Sequence, residues 1–177
     1  IQVGDSVYLC TPQNKVIALN AETGEEKWAF DPKTSENKWW SRCRGVAYYE
    51  VPEFKLAKQA NSEAKPEQCQ ARIITTDKDG HLWALDAKTG EVCQNFGDTG
   101  KGYTDLSVGM GEYQQCYYMP TSQPLVAGDR VIIGGWVWDG RQTEQPSGVV
   151  RAYSLIDGSL DWAWDLGNAE ITKLPPE

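Results

Sequence analysis

One histidine, two methionines and no Cys-x-x-Cys pair leave this 177-residue chain without the usual equipment for a zinc site. His81 follows the turn sequence DKDG and the serines fall in turns or loops, so no nucleophile stands beside a base. Glycine-rich phosphate loops are missing too. Basic residues are few, 17 against 25 acidic ones for a net charge of −8, and they form no cluster, which excludes a phosphate-reading surface and a nucleic-acid partner. No apolar run approaches the roughly 20 residues of a membrane-spanning helix, and no charged-then-apolar signal segment opens the chain. The opening IQVGDSVYLC starts inside a strand pattern without an initiator methionine, and ITKLPPE ends without a capping element, so the expectation is a fragment of a longer protein.

What the chain does contain is repetition. VIALNAETGEEKWAF (Val16 to Phe30) returns as LWALDAKTGEVCQNF (Leu82 to Phe96) and as VRAYSLIDGSLDWAW (Val150 to Trp164). Each copy has an apolar run, a polar turn closing on Gly24, Gly90 or Gly158, and a second run ending in an aromatic residue. This is a β-hairpin pattern: Asn20, Asp86 and Ser154 accept backbone N–H bonds in the turn, and the glycine supplies the positive φ of a turn with a bulge. A lone hairpin is marginal in water, so three imply a stacked array. Trp28 and Trp162, at equivalent positions after the turn glycine, are candidates to dock on the neighbouring repeat. Three unrelated hairpins in a β-sandwich are the competing arrangement.

The turn glycines are about 66 and 68 residues apart, against roughly 40 to 50 for a propeller blade. Subtracting a polar insert at 51–70, rich in Lys, Glu, Gln and Ala, and a glycine-rich insert at 97–119 restores blade length. The predicted fold is therefore all-β, a partial β-propeller of about two blades plus inserts, with residues 1–177 a fragment of one domain. Inserts of this kind decorate one face, where ligands bind. Further strands are predicted over Val3 to Cys10, Arg44 to Glu50, Arg72 to Thr76 and the VIIGGWVW run at 131–138, and Trp39 and Trp40 place unusual aromatic area in a loop. Cys10, Cys43, Cys69, Cys93 and Cys116 are either buried thiols or one or two disulfides with at least one cysteine left over; spacing does not pair them.

The repeat A-L-[DN]-A-x-T-G-E-x-x-W is similar to the tryptophan-docking motif of the quinoprotein dehydrogenases that use pyrroloquinoline quinone (PQQ). VGDSVYLCTPQNKVIALNAETGEEKW, CRGVAYYE, the polar insert ending at Cys69, MPTSQPLV and SGVVRAY together resemble the membrane-bound glucose, quinate and shikimate branch, over Val3 to about Asp165. The resemblance implies an eight-bladed propeller with the quinone on its axis, chelating Ca2+ or Mg2+, a polyol or sugar substrate, and ubiquinone as electron acceptor. It places the parent at the periplasmic face of the bacterial inner membrane, with any membrane segment outside this chain.

Carried onto these residues, the resemblance makes Arg44 the arginine at the cofactor's C5 oxygens, where a guanidinium fork suits adjacent carbonyls. Thr121 and Ser122 match the hydroxyl segment that bonds a cofactor carboxylate. Trp136 joins the cofactor wall where the family has a small hydroxyl residue. Asp139 and Glu144 fall near the family's metal ligands, with Gly140 standing where the glucose enzymes carry an amide. Tyr49 replaces a substrate-proximal histidine, which leaves quinate, shikimate or another polyol open beside glucose. Cys43 has no adjacent cysteine, so a vicinal disulfide over the cofactor does not arise here. The family's proton-abstracting aspartate lies downstream, so no catalytic residue is expected in this chain and the isolated fragment is expected to be inactive. Two other functions compete: a non-catalytic propeller scaffold that binds protein segments, and a sugar-binding propeller in which Trp136 and Trp138 stack on pyranose faces.

Overall fold

The structure is a computed structural model that describes residues 1–36, 41–52, 68–97, 101–110, 117–138, 140, 146, 148–165 and 167–173. Among them all regular structure is strand. The first sheet is the meander β1 (Gln2–Val3), β2 (Ser6–Cys10), β3 (Val16–Asn20) and β4 (Glu26–Phe30), and the second is β5 (Ala47–Glu50), β6 (Ala71–Thr76), β7 (His81–Asp86) and β8 (Tyr103–Asp105). After β9 (Tyr118–Met119), the third sheet runs β10 (Leu125–Ala127), β11 (Arg130–Ile133), β13 (Val150–Ser154), β14 (Leu160–Asp165) and β15 (Asn168–Thr172). β12 (Trp136–Val137), from the connection between β11 and β13, pairs antiparallel with β9.

Each copy of the repeat occupies its own sheet, so the partial propeller holds while the repeat-bearing sheets number three, not about two. The repeat spacing misleads because strands lie within the stretches subtracted as insert: the glycine-rich 97–119 contains β8 and β9. The VIIGGWVW run is likewise two strands. Gly134 and Gly135 end β11, and the Tyr118 ring lies so close over Gly135 that a Cβ there would stand 1.9 Å from it.

The turns form as their residue types require. Asn20 Oδ1 accepts from the N–H groups of Glu22 (2.8 Å) and Thr23 (3.1 Å), Asp86 Oδ1 from those of Lys88 and Thr89 (2.9 Å each), and Ser154 Oγ from that of Ile156 (3.2 Å). Gly24, Gly90 and Gly158 follow at φ 74°, 75° and 78°, which glycine adopts without a Cβ penalty.

Both faces of the second sheet are covered, so β6 and β7 are buried from their second residue onward without alternation, Arg72, Thr75 and Thr76 included. Ile73 and Leu85 face the first sheet with Tyr8, Val16 and Trp28, whereas Ile74, Leu82 and Ala84 face the third with Val131 and Tyr153. Trp28, 9% exposed, donates from Nε1 to the carbonyl of Ala87 at 3.1 Å and lies on Gly90, where a Cβ would approach its ring to 2.5 Å. Tyr8 Oη donates to the same carbonyl at 3.0 Å. Trp162, in the last repeat-bearing sheet of the chain, is half-buried.

The next seam is built differently. Four residues after Gly90, where the first repeat has Trp28, stands Gln94. Arg72 takes over: its Nη1 donates to the carbonyls of Leu155 (2.9 Å) and Ile156 (2.7 Å), and Leu155 holds the repeat position of Ala87. Thr104 Oγ1 donates to Gly158 O at 2.7 Å and Gly97 N to Asp157 O at 2.8 Å.

Strand direction separates the two inserts. The 51–70 insert leaves from the C-terminal end of β5, at the same end of the sheets as the repeat turns, and its described ends are joined by Val51 N donating to Gln70 O (2.8 Å). The part of 97–119 after β8 emerges at the opposite end. The described ends of the two inserts thus emerge at opposite ends of the sheets, while residues 53–67, 98–100 and 111–116, on which the expectation of a shared face falls, lie outside the described residues. Disulfides join Cys10 to Cys43 and Cys69 to Cys93, with Cα separations of 5.9 and 5.7 Å; Cys116 lies outside the described residues, as do Trp39 and Trp40.

Candidate functional site

The end of the sheets opposite the repeat turns collects the connections that follow β2, β6 and β11 and the segments that lead into β5 and β10. Arg44 sits there, three residues before β5, with its side chain exposed. Its neighbours are pinned. Cys43 is bonded to Cys10 at the end of β2, Asn14 Nδ2 donates to Arg42 O at 3.2 Å, and Gln123 Nε2 donates to Val46 O at 2.7 Å. Gly45, at φ 152°, packs on the Gln123 side chain, which a Cβ would meet at 2.9 Å.

Gln123 directly follows Thr121 and Ser122, so the bond to Val46 brings the PTS segment to the Arg44 segment. On its other side PTS follows β9, where Met119 is paired with Trp136. Arg44, Thr121, Ser122 and Trp136, far apart in sequence, thus lie along one rim. Ser122 is exposed, Thr121 and Trp136 half-buried. Trp136 continues into an aromatic row, its ring centroid 6.2 Å from that of Trp138, which is 5.6 Å from that of Tyr117.

Tyr49 is not brought to this rim. It lies five residues along from Arg44, toward the repeat-turn end, 8% exposed in the core between the second and third sheets. Its hydroxyl donates to Asp129 Oδ1 at 2.6 Å, and burial followed by that carboxylate pushes its pKa well above the usual tyrosine range. Asp139 and Glu144 lie outside the described residues. Among the described residues no group of three or more His, Cys, Asp or Glu side chains is placed to hold a metal ion. Sequence reasoning missed Asn14 and Gln123. Both adjoin stretches it singled out, TPQN and PTS, but nothing in an amide side chain announces which distant carbonyl it will reach.

The same end carries the β6–β7 turn. Asp77, 1% exposed, accepts from the N–H groups of Asp79 and His81, from His81 Nδ1 at 2.9 Å and from Trp83 Nε1 at 2.7 Å. Asp79 in turn accepts from Ser35 N and Ser35 Oγ, both at 2.6 Å. Burial acts to lower the His81 pKa, but the bond to Asp77 and the charges of Asp77, Asp105 and Asp79 outweigh it and hold the pKa above 6.5. A raised folded-state pKa stabilises fully below the unfolded value and is lost as pH rises through the folded one. As pH rises past about 6.5 the melting temperature of the wild type should therefore fall relative to that of His81→Gln, with the two curves parallel at lower pH. Parallel curves throughout would show that Asp77 and His81 are not coupled.

Three repeat-bearing sheets, stacked through a docked tryptophan and then a docked arginine, define a segment of a β-propeller. The chain belongs to the PQQ family of propellers: the family model described as the glucose/ethanol/alcohol dehydrogenase beta-propeller domain matches residues 1–177. Quinoprotein glucose dehydrogenase A of Acinetobacter calcoaceticus is 36% identical over 182 residues, covering 100% of this chain and 22% of that protein. The quinate/shikimate dehydrogenase (quinone) of Acinetobacter baylyi is 35% identical over 96% of this chain and 22% of its own length. The chain thus spans about a fifth of these relatives. The crystal structure of quinohemoprotein alcohol dehydrogenase from Comamonas testosteroni superposes on 93% of the chain and 20% of its own, with a TM-score of 0.66 and 22% identity, a likeness of fold.

Proposed function

We propose that this chain is part of a PQQ-dependent dehydrogenase that oxidises a polyol or sugar of the glucose or quinate/shikimate class and passes electrons to a membrane quinone. The observation that carries this reading is the gathering of Arg44, Thr121, Ser122 and Trp136 on one rim by the Gln123–Val46 bond and the β9–β12 pair. A guanidinium fork, two hydroxyls and an indole face form a donor set that suits a flat quinone bearing adjacent carbonyls and carboxylates. Arg44 binds the carbonyl edge, Thr121 and Ser122 a carboxylate, and Trp136 contributes an apolar wall; Asp139 and Glu144 are assigned to a Ca2+ or Mg2+ ion. When bound, the quinone supplies the hydride acceptor and the cation polarises it.

The residues of this chain bind and orient. None of them is proposed to take the substrate's hydroxyl proton, so the 177 residues alone should turn over no alcohol. Two disulfides fit an oxidising compartment such as the periplasmic face of the bacterial inner membrane.

The test is made on the full-length protein, reconstituted with PQQ and Ca2+ or Mg2+ and supplied with an electron-accepting dye. Cofactor-dependent dye reduction is expected with at least one of glucose, quinate and shikimate; none with any of the three would overturn the reading and favour a scaffold. Arg44→Ala should weaken PQQ binding by about 10- to 100-fold, the range for losing a charge-assisted hydrogen bond.

A further inference from the structure

We infer that the Cys10–Cys43 disulfide, with Asn14 and Gln123, is a positioning device for Arg44. The inference rests on the cofactor reading of Arg44 and adds what makes that arginine effective. Residues 41–46 belong to no strand, and an unpaired segment spreads over many backbone conformations. An exposed guanidinium on such a segment binds poorly unless its backbone is fixed, because productive geometry tolerates errors of only about 0.5 Å.

Restraints from all three sheets converge on the two residues either side of Arg44. From the first sheet come the covalent link Cys10–Cys43 and the bond from Asn14 to Arg42 O. The second sheet braces Asn14 itself, since Lys78 N donates to Asn14 Oδ1 at 3.1 Å; Asn14 is 2% exposed and held at φ 64°. The third sheet supplies Gln123, which holds Val46 O and packs on Gly45. Backbone on both flanks is fastened while the Arg44 side chain stays exposed. That is how a fold presents a ligand-binding side chain without burying it.

The second disulfide provides the control. Cys69 and Cys93, 4% and 0% exposed, lie in the core of the second sheet at the repeat-turn end, away from Arg44. A purely structural role predicts that losing either bridge has the same kind of effect; a positioning role predicts that only one of them alters cofactor affinity.

The experiment titrates full-length apoprotein, with Ca2+ or Mg2+ present, with PQQ and follows quenching of tryptophan fluorescence, a readout independent of turnover. Cys10→Ser with Cys43→Ser should weaken binding about 10-fold, as loss of supporting-shell contacts does elsewhere. Cys69→Ser with Cys93→Ser should lower the melting temperature and leave affinity unchanged. In an Arg44→Ala background, removing Cys10–Cys43 should change affinity by less than about 2-fold, since only the arginine's placement was lost. Gln123→Ala keeps both bridges and the fold, and should weaken binding about 3-fold with the same dependence on Arg44. Equal weakening by both bridge removals, or unchanged affinity in the Gln123 variant, would overturn the inference while leaving Arg44 in the site. Unchanged affinity in Arg44→Ala would overturn the cofactor reading of that residue and the inference with it.

Discussion

Alanine at the three repeat glycines should destabilise the protein by unequal amounts, although Gly24, Gly90 and Gly158 share nearly the same φ. The conformational penalty is common to all, about 1–2 kcal/mol for an L-residue in the left-handed region. At Gly24 nothing lies within 4 Å of the added Cβ, so that penalty is the whole cost. At Gly90 the Cβ meets the Trp28 ring at 2.5 Å, and the ring is held by its bond to Ala87 O, so an overpacking cost of about 1–3 kcal/mol is added. At Gly158 the obstacles are Thr104 Oγ1 at 2.6 Å and the backbone N of Gly97 at 2.7 Å. Backbone retreats less readily than a side chain, so Gly158→Ala should be the most costly. Trp28→Ala itself should cost about 3–5 kcal/mol. In that background Gly90→Ala should fall back to the Gly24 value. Urea midpoints at constant m-value measure all of this; equal losses at the three glycines would show that the seams are not where the sheets are held.

These seams also show where sequence reading succeeds and where it stops. The repeat and its turn chemistry were legible because each depends on residues close in sequence, an Asx or Ser turn and a glycine, and the docking of Trp28 was legible because the repeat carries its indole four places on, although the surface it meets, Ala87 and Gly90, lies in the next copy. The seam between the second and third sheets was not. Gln94 marks the missing indole, but Arg72, which replaces it, lies upstream in β6 and looks like any strand arginine. The pairing Cys10–Cys43 and the reach of Gln123 to Val46 depend in the same way on how sheets stack, which no local pattern encodes. Arg44, Thr121, Ser122 and Trp136 were named through a resemblance, and the rim along which they lie depends on the Gln123–Val46 bond and the β9–β12 pair, which no local pattern announces. Tyr49 shows the opposite: its matching position pointed to substrate, whereas its surroundings are a core and a carboxylate.

Arg72→Met should cost about 3–5 kcal/mol, as large an effect as removing Trp28, because a fully buried guanidinium cannot be deleted without stranding its acceptors. Nε donates to Cys69 O at 2.7 Å, Nη1 to Leu155 O and Ile156 O, and Nη2 to Asn95 Oδ1 at 3.3 Å. Burial pushes the Arg72 pKa down to about 10, while Tyr49, Asp157 and Asp86 act to raise it, so the group stays charged at neutral pH. Methionine keeps much of the volume and removes the desolvation penalty, but three carbonyls, two buried and one half-buried, then lose their donor. Arg72→Lys should recover less than half of the loss, because an ammonium is a single point where the guanidinium spans acceptors on two sheets. For a chain of this size the methionine variant should melt at least about 6 °C lower. Adding Gln94→Trp to Arg72→Met should bring no recovery, even though it recreates the first seam's residue at the matching position. The surface over Gly158 is already occupied by Thr104 and Gly97, leaving no place for an indole to lie. Recovery by that tryptophan would show that the two seams are interchangeable and that Arg72 is no more than a filler.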